Sequence, residues 1–394
     1  MKVVGILGGG QLARMLALAG HPLGLDLRVF DPSPDAPAAA VADHVCAPWD
    51  DLHALARFCD GLDVATLELE APPLVTARAV ASRVLLVPSP RALAASQDRL
   101  GEKELARSLG IATAPFVRVD SAAGLAIAME RVGSPAVLKS RTLGYDGRGQ
   151  AVVHTHEEAL RAWQEGGRRP SVLEGLVRFD RELSLVAVRS TRGETAFYPL
   201  VENLHQGGIL RRTVAPAPRL AASLDEQARC LAVRLLDHLE YAGVMTLEFF
   251  ESGGRLLLNE IAPRVHNSGH WTIEGAATSQ FENHLRAVTG LPLGSTEARG
   301  WSLLWNILGE APDPARVLSI PDVHLHLYGK QPRSGRKLGH VTALASSLAE
   351  LDRRARDLGD AIGGQASLDR GLGESSLLAS GSDAGGLEAG LGDP

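Results

Sequence analysis

The sequence predicts a mixed α/β protein that opens on a parallel sheet with helices on both faces. Three observations carry this. The chain starts strand, glycine turn, helix: the apolar run Val3–Leu7, then Gly8-Gly9-Gly10, then helical spacing through Leu12, Met15 and Leu16. Candidate strands and helices then alternate as far as Val87, the pattern of a parallel sheet. Much later, two apolar runs flank Ser252-Gly253-Gly254, which signals a β-hairpin.

Composition sets the bounds. A chain of 394 residues allows two or three domains, and 45% hydrophobic residues can fill their cores. A net charge of −6 offers no broad basic field for nucleic acid. Met1 leads straight into the first apolar run, without the charged segment and cleavage site of a secretory signal. No apolar run reaches the length of a membrane span. Cys46, Cys59 and Cys230 are odd in number and far apart, so neither a disulfide framework nor a zinc site is expected. They read as small buried or half-buried residues of a cytoplasmic protein.

In the first unit, residues 1–95, Gly8-x-Gly10-x-x-Ala13 loosely matches the dinucleotide fingerprint, with Asp31 following the strand Leu27–Phe30. The alternative is a turn kept tight for helix–strand packing. Leu52–Phe58 and Leu74–Ala81 read as helices, Val64–Leu69 and Val84–Val87 as strands. Glu68 and Glu70 bracket the carboxyl end of Val64–Leu69, where open α/β sheets place ligands; surface acids are the alternative. A charged helix is expected from Arg91 to Leu109, carrying Asp98, Arg99 and Lys103.

A new unit follows Pro115. The strand Ala136–Ser140 delivers Lys139, and the loop Arg141–Gln150 leads to the strand Ala151–His154. A glycine-rich loop bearing cations can fold over a polyphosphate, with Lys139 and Arg148 as countercharge. It lacks the Walker pattern. Ser171–Val177 is the next strand, and its Glu174-Gly175-Leu176-Val177 end can present backbone groups to an adenine edge. Glu182 opens the strand Leu183–Val188, Phe197–Val201 is extended, and His205 stands at a strand end. Ala228–Leu239 is an amphipathic helix.

The hairpin carries the chemistry. If it is centred near Gly254 without a bulge, Glu248 faces Glu260. Like charges directly opposed are destabilising. A hard divalent cation with oxygen ligands relieves them, which suggests Mg²⁺ beside a phosphate chain. A solvated hairpin is the alternative, but Arg264, His266, Asn267 and His270 crowd in directly after Pro263, which suits anion chemistry.

Beyond Pro292, Trp301–Leu308 and Val323–Tyr328 read as strands, with His324 and His326 on one partly polar face. Lys330, Arg333, Arg336 and Lys337 form a basic cluster suited to a phosphomonoester. Leu348–Ile362 is a charged helix, and residues 363–394 form a low-complexity tail, expected to be disordered.

Taken together, these pieces resemble the ATP-grasp superfamily, and within it the 5-(carboxyamino)imidazole ribonucleotide synthase family. The resemblance runs from Val3 to about Leu344. Its most specific parts are Gly8-Gly9-Gly10-Gln11-Leu12, the loop Gly144–Gln150, Tyr198–Gln206, Asn259–Trp271, and Gly335-Arg336-Lys337 with Gly339-His340. It implies an ATP-grasp fold with a Rossmann-like preATP-grasp domain over 1–95 and an ATP-grasp domain over 96–295, its lid at about 112–190. A β-rich segment over 296–362 completes it. The implied reaction is ATP-dependent carboxylation of 5-aminoimidazole ribonucleotide by bicarbonate, through carboxyphosphate, in purine biosynthesis. The family also implies a homodimer.

The resemblance also implies roles. Glu248 and Glu260 would hold Mg²⁺ on ATP. Arg99, Lys139, Gly144, Tyr145, Asp146, Gly147, Arg148, Gly149 and Gln150 would line the nucleotide, with Glu174, Gly175, Leu176, Val177, Glu182, His205, Asn259 and Glu260. Arg264 would face bicarbonate, helped by Lys139. Gln11, Leu12, Glu70, Tyr145, Arg148, Lys330, Arg336 and Lys337 would meet the ribonucleotide. Asp146, His270 or released phosphate could take the proton of the attacking amine. Two departures stand out: Leu143 replaces a small residue, and Ala262 stands where some relatives add an Asn ligand.

Three other readings remain. A formate-using ATP-grasp enzyme acting on glycinamide ribonucleotide would share the fold. An NAD-dependent oxidoreductase would leave the hairpin unexplained. A silent nucleotide-binding regulator would have no need of Lys139, Glu248, Glu260 and Arg264 together.

Overall fold

The computed structural model describes residues 2–142, 144 and 149–362. Its first sheet has four parallel strands in the order Asp43–Cys46, Asp26–Asp31, Val3–Leu7, Val64–Leu67. Alternation sorts the first strand's side chains. Val4 and Ile6 pack with the helix Gln11–Gly20, whereas Leu7 packs with Leu52–Cys59 and Leu74–Ala81 on the other face. The sheet is therefore covered on both sides, and all four residues of Val64–Leu67 are buried.

Several expectations need correcting. Asp43–Cys46 was not foreseen, because an edge strand reading Asp-His-Val-Cys carries no apolar alternation. Val84–Val87 is not a strand. It makes one bridge, Leu86 to Ala65, before the chain turns away at Pro88, which has no N–H to continue a ladder. The expected helix from Arg91 to Leu109 is two helices, Pro90–Gln97 and Arg99–Ser108. Asp98 breaks it by adopting extended backbone, and its carboxylate caps the second helix at Leu100 N (3.0 Å). Phe197–Val201 is likewise not one strand. Thr195–Phe197 and Val201–Gln206 are separate, because Tyr198 turns inward to donate to Thr278 O (2.9 Å) and Pro199 cannot donate. Cys59 is buried, but Cys46 and Cys230 are exposed.

The second sheet is antiparallel: Phe116–Val119, Ser171–Gly175, Ala136–Ser140, Gln150–Val153. Helices Ala122–Val132 and His156–Glu165 pack on it over a core of its own that includes Leu125, Trp163 and Leu173. This small α+β unit falls within the segment 112–190 expected as a lid.

The third sheet is the backbone of the molecule. Its path runs Arg255–Ala262, Gly243–Ser252, Arg181–Arg189, Val201–Gln206, Ile209–Ala215, Trp301–Leu308, Lys337–Ala345, Val323–Leu327. The last three strands, which form the β-rich final segment, thus prolong the same sheet. Ala222–His238 covers one face, burying Leu231, Leu235 and Leu236 against Leu185 and Leu247. No described helix is long and apolar enough to cross a membrane.

A buried histidine ties the first sheet to the third. His284, on the helix Gln280–Thr289, accepts at Nδ1 from Val244 N (3.0 Å), so its Nε2–H donates to Thr66 Oγ1 (2.7 Å). Burial lowers its pKa from the ordinary 6.5 to about 4. Between those values the unfolded chain takes a proton that the folded chain refuses. Stability is therefore full above about pH 6.5 and declines as the pH falls towards 4, by about 3 kcal/mol from this site. We expect urea melts of wild type to show this loss, and His284→Asn to show a shallower pH dependence. Parallel slopes for the two proteins would contradict the assignment.

Candidate active site

The hairpin does oppose Glu248 to Glu260, but by a different route from the one expected. Gly253 and Gly254 both have positive φ (+56° and +72°) and form a two-residue turn. Ser252 pairs with Arg255 and Phe249 with Leu258, a register that would set Glu248 against Asn259. A β-bulge intervenes: Asn259 is the extra residue, and Glu248 meets Glu260. The expectation of a bulge-free hairpin centred on Gly254 is therefore corrected. The bulge has a chemical consequence. Consecutive strand residues point to opposite faces, and an extra residue relaxes that alternation, so Asn259 and Glu260 can both be aimed at Glu248.

The acidic pair is set in an asymmetric field. Glu248 is buried, and His266 Nε2 lies 3.0 Å from its Oε1. His266 Nδ1 accepts from Ser268 N (3.2 Å), so Nε2 carries the proton and donates to Glu248. Burial alone would raise Glu248. The His266 bond, with His205 and Arg264, outweighs it and holds the carboxyl at about 2. Glu260 goes the other way. Desolvation and the Glu248 charge both push it up; because Glu260 is open to solvent, the second cause carries more weight.

Helix Arg99–Ser108 braces this hairpin with two consecutive residues. Lys103, 2% exposed, donates to Leu258 O (3.2 Å) and Asn259 O (2.6 Å). Glu102, 3% exposed, accepts from Ile261 N (3.0 Å). Arg99 reaches the lid instead, donating to Ser140 O (2.9 Å) and Gly144 O (3.1 Å). Arg141, at the start of the lid loop, is bound to Asp98. Glu174 takes Lys139 at 3.0 Å and Lys103 at 3.5 Å. Its burial would raise its pKa, but the two ammonium groups lower it. Sequence reasoning named Lys103 only in passing and did not find Glu102. Their signal was the i, i+3, i+4 spacing with Arg99, which is also that of an ordinary solvated helix.

The other residues expected at the nucleotide have the following partners. His205 Nδ1 lies 2.9 Å from Glu182 Oε2. Burial opposes its charge, but Glu182, with Glu248 and Glu260, raises its pKa to about 9. Gly175 and Leu176 spend their N–H groups on Pro115 O (2.8 Å) and Pro135 O (3.1 Å), and Val177 lies just past the strand. Gly149 O accepts from Ser140 N (2.8 Å), and Gln150 pairs with Lys139. Leu143, Tyr145, Asp146, Gly147, Arg148 and the tail 363–394 lie outside the described residues.

The first domain supplies the other wall. Arg264 Nε lies 2.9 Å from Glu70 Oε1. Lys330 donates to Gln11 Oε1 (2.5 Å) across 319 positions of sequence, while Leu12 is buried behind it. Arg336 is exposed and donates to Gln331 O (3.3 Å). His270 is fully buried, and its Nε2 has no partner among the described residues. Desolvation, aided by His266 and Lys337, keeps its pKa well below the ordinary value, so it is neutral. His326 stacks on His340 (centroids 4.4 Å apart) and bonds Glu274, whereas His324 is exposed.

The glycine turn is already filled from within. Glu68 accepts from Gly10 N (2.9 Å) and Ala13 N (3.2 Å), and Asp31 accepts from Gly9 N (2.8 Å). A Cβ at Gly10 would lie 2.7 Å from Glu68 Oε1, so the glycine admits the protein's own carboxylate. These N–H groups are the ones a dinucleotide phosphate would use.

An acidic pair on a central antiparallel sheet, a small lid sheet with a glycine-rich loop, and an N-terminal parallel domain together define an ATP-grasp protein. The ATP-grasp domain family matches residues 104–281, the ribonucleotide synthetase preATP-grasp domain 1–97, and the phosphoribosylaminoimidazole carboxylase C-terminal domain 302–354. The chain is 48% identical to the N5-carboxyaminoimidazole ribonucleotide synthase of Pseudomonas aeruginosa, over 90% of this chain and 98% of that one. The crystal structure of the Thermus thermophilus synthetase of that name superposes with a TM-score of 0.88 at 53% identity, covering 91% of this chain and 98% of the other. The Aspergillus clavatus enzyme, solved with ADP and 5-aminoimidazole ribonucleotide, gives 0.85 at 34% identity over 92% and 98%. The chain belongs to the N5-carboxyaminoimidazole ribonucleotide synthase family.

Because Glu68 and Asp31 occupy the turn, NAD⁺ should show no binding heat in a calorimetric titration. Glu68→Ala should leave two N–H groups short of a partner and destabilise the protein by about 1–3 kcal/mol in urea melts. A micromolar NAD⁺ affinity in wild type would contradict this reading of the turn.

Proposed function

We infer that the chain carboxylates 5-aminoimidazole ribonucleotide with ATP and bicarbonate, giving N5-carboxyaminoimidazole ribonucleotide, ADP and phosphate. The observation that carries this is the opposed pair Glu248–Glu260 in a chain that is like enzymes named for that product over 90% of its length. The formate and regulator readings have no comparable support.

The donor set fits Mg²⁺. Two hard carboxylates stand at paired positions of the hairpin, and among the described residues no group of three or more His, Cys, Asp or Glu forms a cage. That is the pattern of an ion held by one or two carboxylates and by substrate phosphates. When bound, the ion would offset the charge of the phosphate chain and of the transferring γ-phosphoryl group.

The chain's own residues do the rest. Bicarbonate is a poor electrophile because its leaving group would be hydroxide. Transfer of the γ-phosphoryl group makes carboxyphosphate, whose leaving group is phosphate. The obstacle is bringing anions together. Lys139 and Arg264 bring positive charge against it, each already held by a carboxylate, Glu174 and Glu70. Lys139 stands on the lid sheet, so closing the lid moves a cation inward and excludes water from a hydrolysable intermediate. Gln11, Lys330, Arg336 and Lys337 hold the ribonucleotide, with the basic cluster on its phosphate. Neutral His270 is in the right protonation state to accept the amine proton; Asp146 and released phosphate are the other acceptors. On the same reading the enzyme is a cytoplasmic homodimer, which light scattering would test.

ADP release in Mg·ATP should require 5-aminoimidazole ribonucleotide, rise with bicarbonate and yield an acid-labile carbamate. Glu260→Gln should lower it about 100-fold or more with the fold intact by circular dichroism. ADP release with formate and glycinamide ribonucleotide instead would replace the substrate assignment.

A further inference from the structure

We propose that Lys103 and Glu102 are positioning residues that build the bulge at Asn259 and thereby set the acidic pair for its cation. The inference deepens the divalent-cation reading above and rests on it.

The argument starts from what a bulge costs. An extra residue breaks the ladder, so backbone groups beside it lose their cross-strand partners. Buried and unpaired, they would be expensive. Arg255–Ala262 also ends the strand path of its sheet, so its outward backbone groups have no further strand to bond among the described residues, and at the irregularity the helix Arg99–Ser108 supplies their partners from outside the sheet. Lys103 Nζ donates to the carbonyls of Leu258 and Asn259, the two residues at the irregularity, at 3.2 and 2.6 Å. Glu102 Oε1 accepts from Ile261 N, just beyond it, at 3.0 Å. The two side chains therefore bracket Asn259 and Glu260 from either side.

Neither residue is explained by packing alone. Both are ionisable and almost fully buried, which is costly unless they are paired and hydrogen-bonded. An apolar pair would fill the same space more cheaply. What an apolar pair could not do is bond the backbone of a bulge. Lys103 also lies 3.5 Å from Glu174, the carboxylate that holds Lys139 of the lid sheet. One ammonium group thus spans the cation-binding hairpin and the lid. Removing it should loosen Glu260 relative to Glu248.

The test is binding of Mn²⁺, as a paramagnetic probe, in the presence of ADP, read from the free Mn²⁺ resonance without turnover. Lys103→Met removes both donors to the bulge, and Glu102→Leu removes the acceptor. Each should weaken Mn²⁺ binding about 10- to 100-fold, the usual effect of losing an outer-shell support. Lys103→Arg and Glu102→Gln restore a donor or an acceptor and should recover most of the affinity. Apparent melting temperatures separate misfolding from mispositioning, and if one disruptive variant fails to fold, the other still decides. A folded Lys103→Met or Glu102→Leu protein that binds Mn²⁺ as wild type does would overturn the proposal, as would restored variants as weak as the disrupted ones. Wild type that binds no Mn²⁺ with ADP would instead overturn the cation reading on which it stands.

Discussion

Two carboxylates face each other across one rung of the hairpin, and much of the surrounding structure answers that constraint. Glu248 is the buried member, and an imidazole N–H from His266 stabilises its charge. Glu260 is the open member, and desolvation together with the Glu248 charge raises its pKa. Among the described residues, one carboxylate has a side-chain partner and the other has none. A symmetric arrangement would either have repelled itself apart or have needed no cation.

The next ring of charge follows from the first. His205 is raised partly by the pair and is held by Glu182. Lys139 and Lys103 share Glu174, and Arg264 is met by Glu70. His205, Arg264 and the two lysines each meet a carboxylate further out, so their positive charge is delivered with a partner. The N-terminal domain takes part through a division of labour between two acids. Glu68 turns inward and closes the glycine turn, whereas Glu70, two residues on, reaches Arg264. A motif that in other proteins cradles an external phosphate is here spent on an internal carboxylate.

Much of this was legible in the sequence. Strong periodicity located Val3–Leu7, Leu74–Ala81 and Trp301–Leu308 at their observed bounds. The glycine turns and the crowding of Arg264, His266 and His270 pointed to the site. What the sequence hid were features fixed by tertiary partners. The bulge at Asn259 depends on Lys103, more than 150 positions earlier, and nothing local announces it. The right pairing of Glu248 with Glu260 was reached from a turn one half-step out of place, and the bulge made up the difference. Asp98 looked like one charged residue in a helix because its cap and its Arg141 partner are visible only in three dimensions. The edge strand Asp43–Cys46 was invisible because one neighbour, not burial, makes it a strand.

The way the sheets join explains why the ribonucleotide end of the site needs three segments of chain. The acidic pair sits at one edge of the central sheet, and the strands carrying the basic cluster lie at the other. No single strand order could bring them together. The N-terminal domain closes the gap: Glu70 contacts Arg264, just after the hairpin, and Gln11 contacts Lys330, just after Val323–Leu327. Both contacts come from residues at the carboxyl ends of parallel strands or directly after them, where such sheets expose polar groups. The domain is therefore more than a docking partner for the ATP-grasp core. By tying itself to the core through Thr66 and His284, it fixes the distance between the acidic pair and the basic cluster. A substrate that must offer its amine to carboxyphosphate at one end while its phosphate is held at the other needs that distance to be rigid.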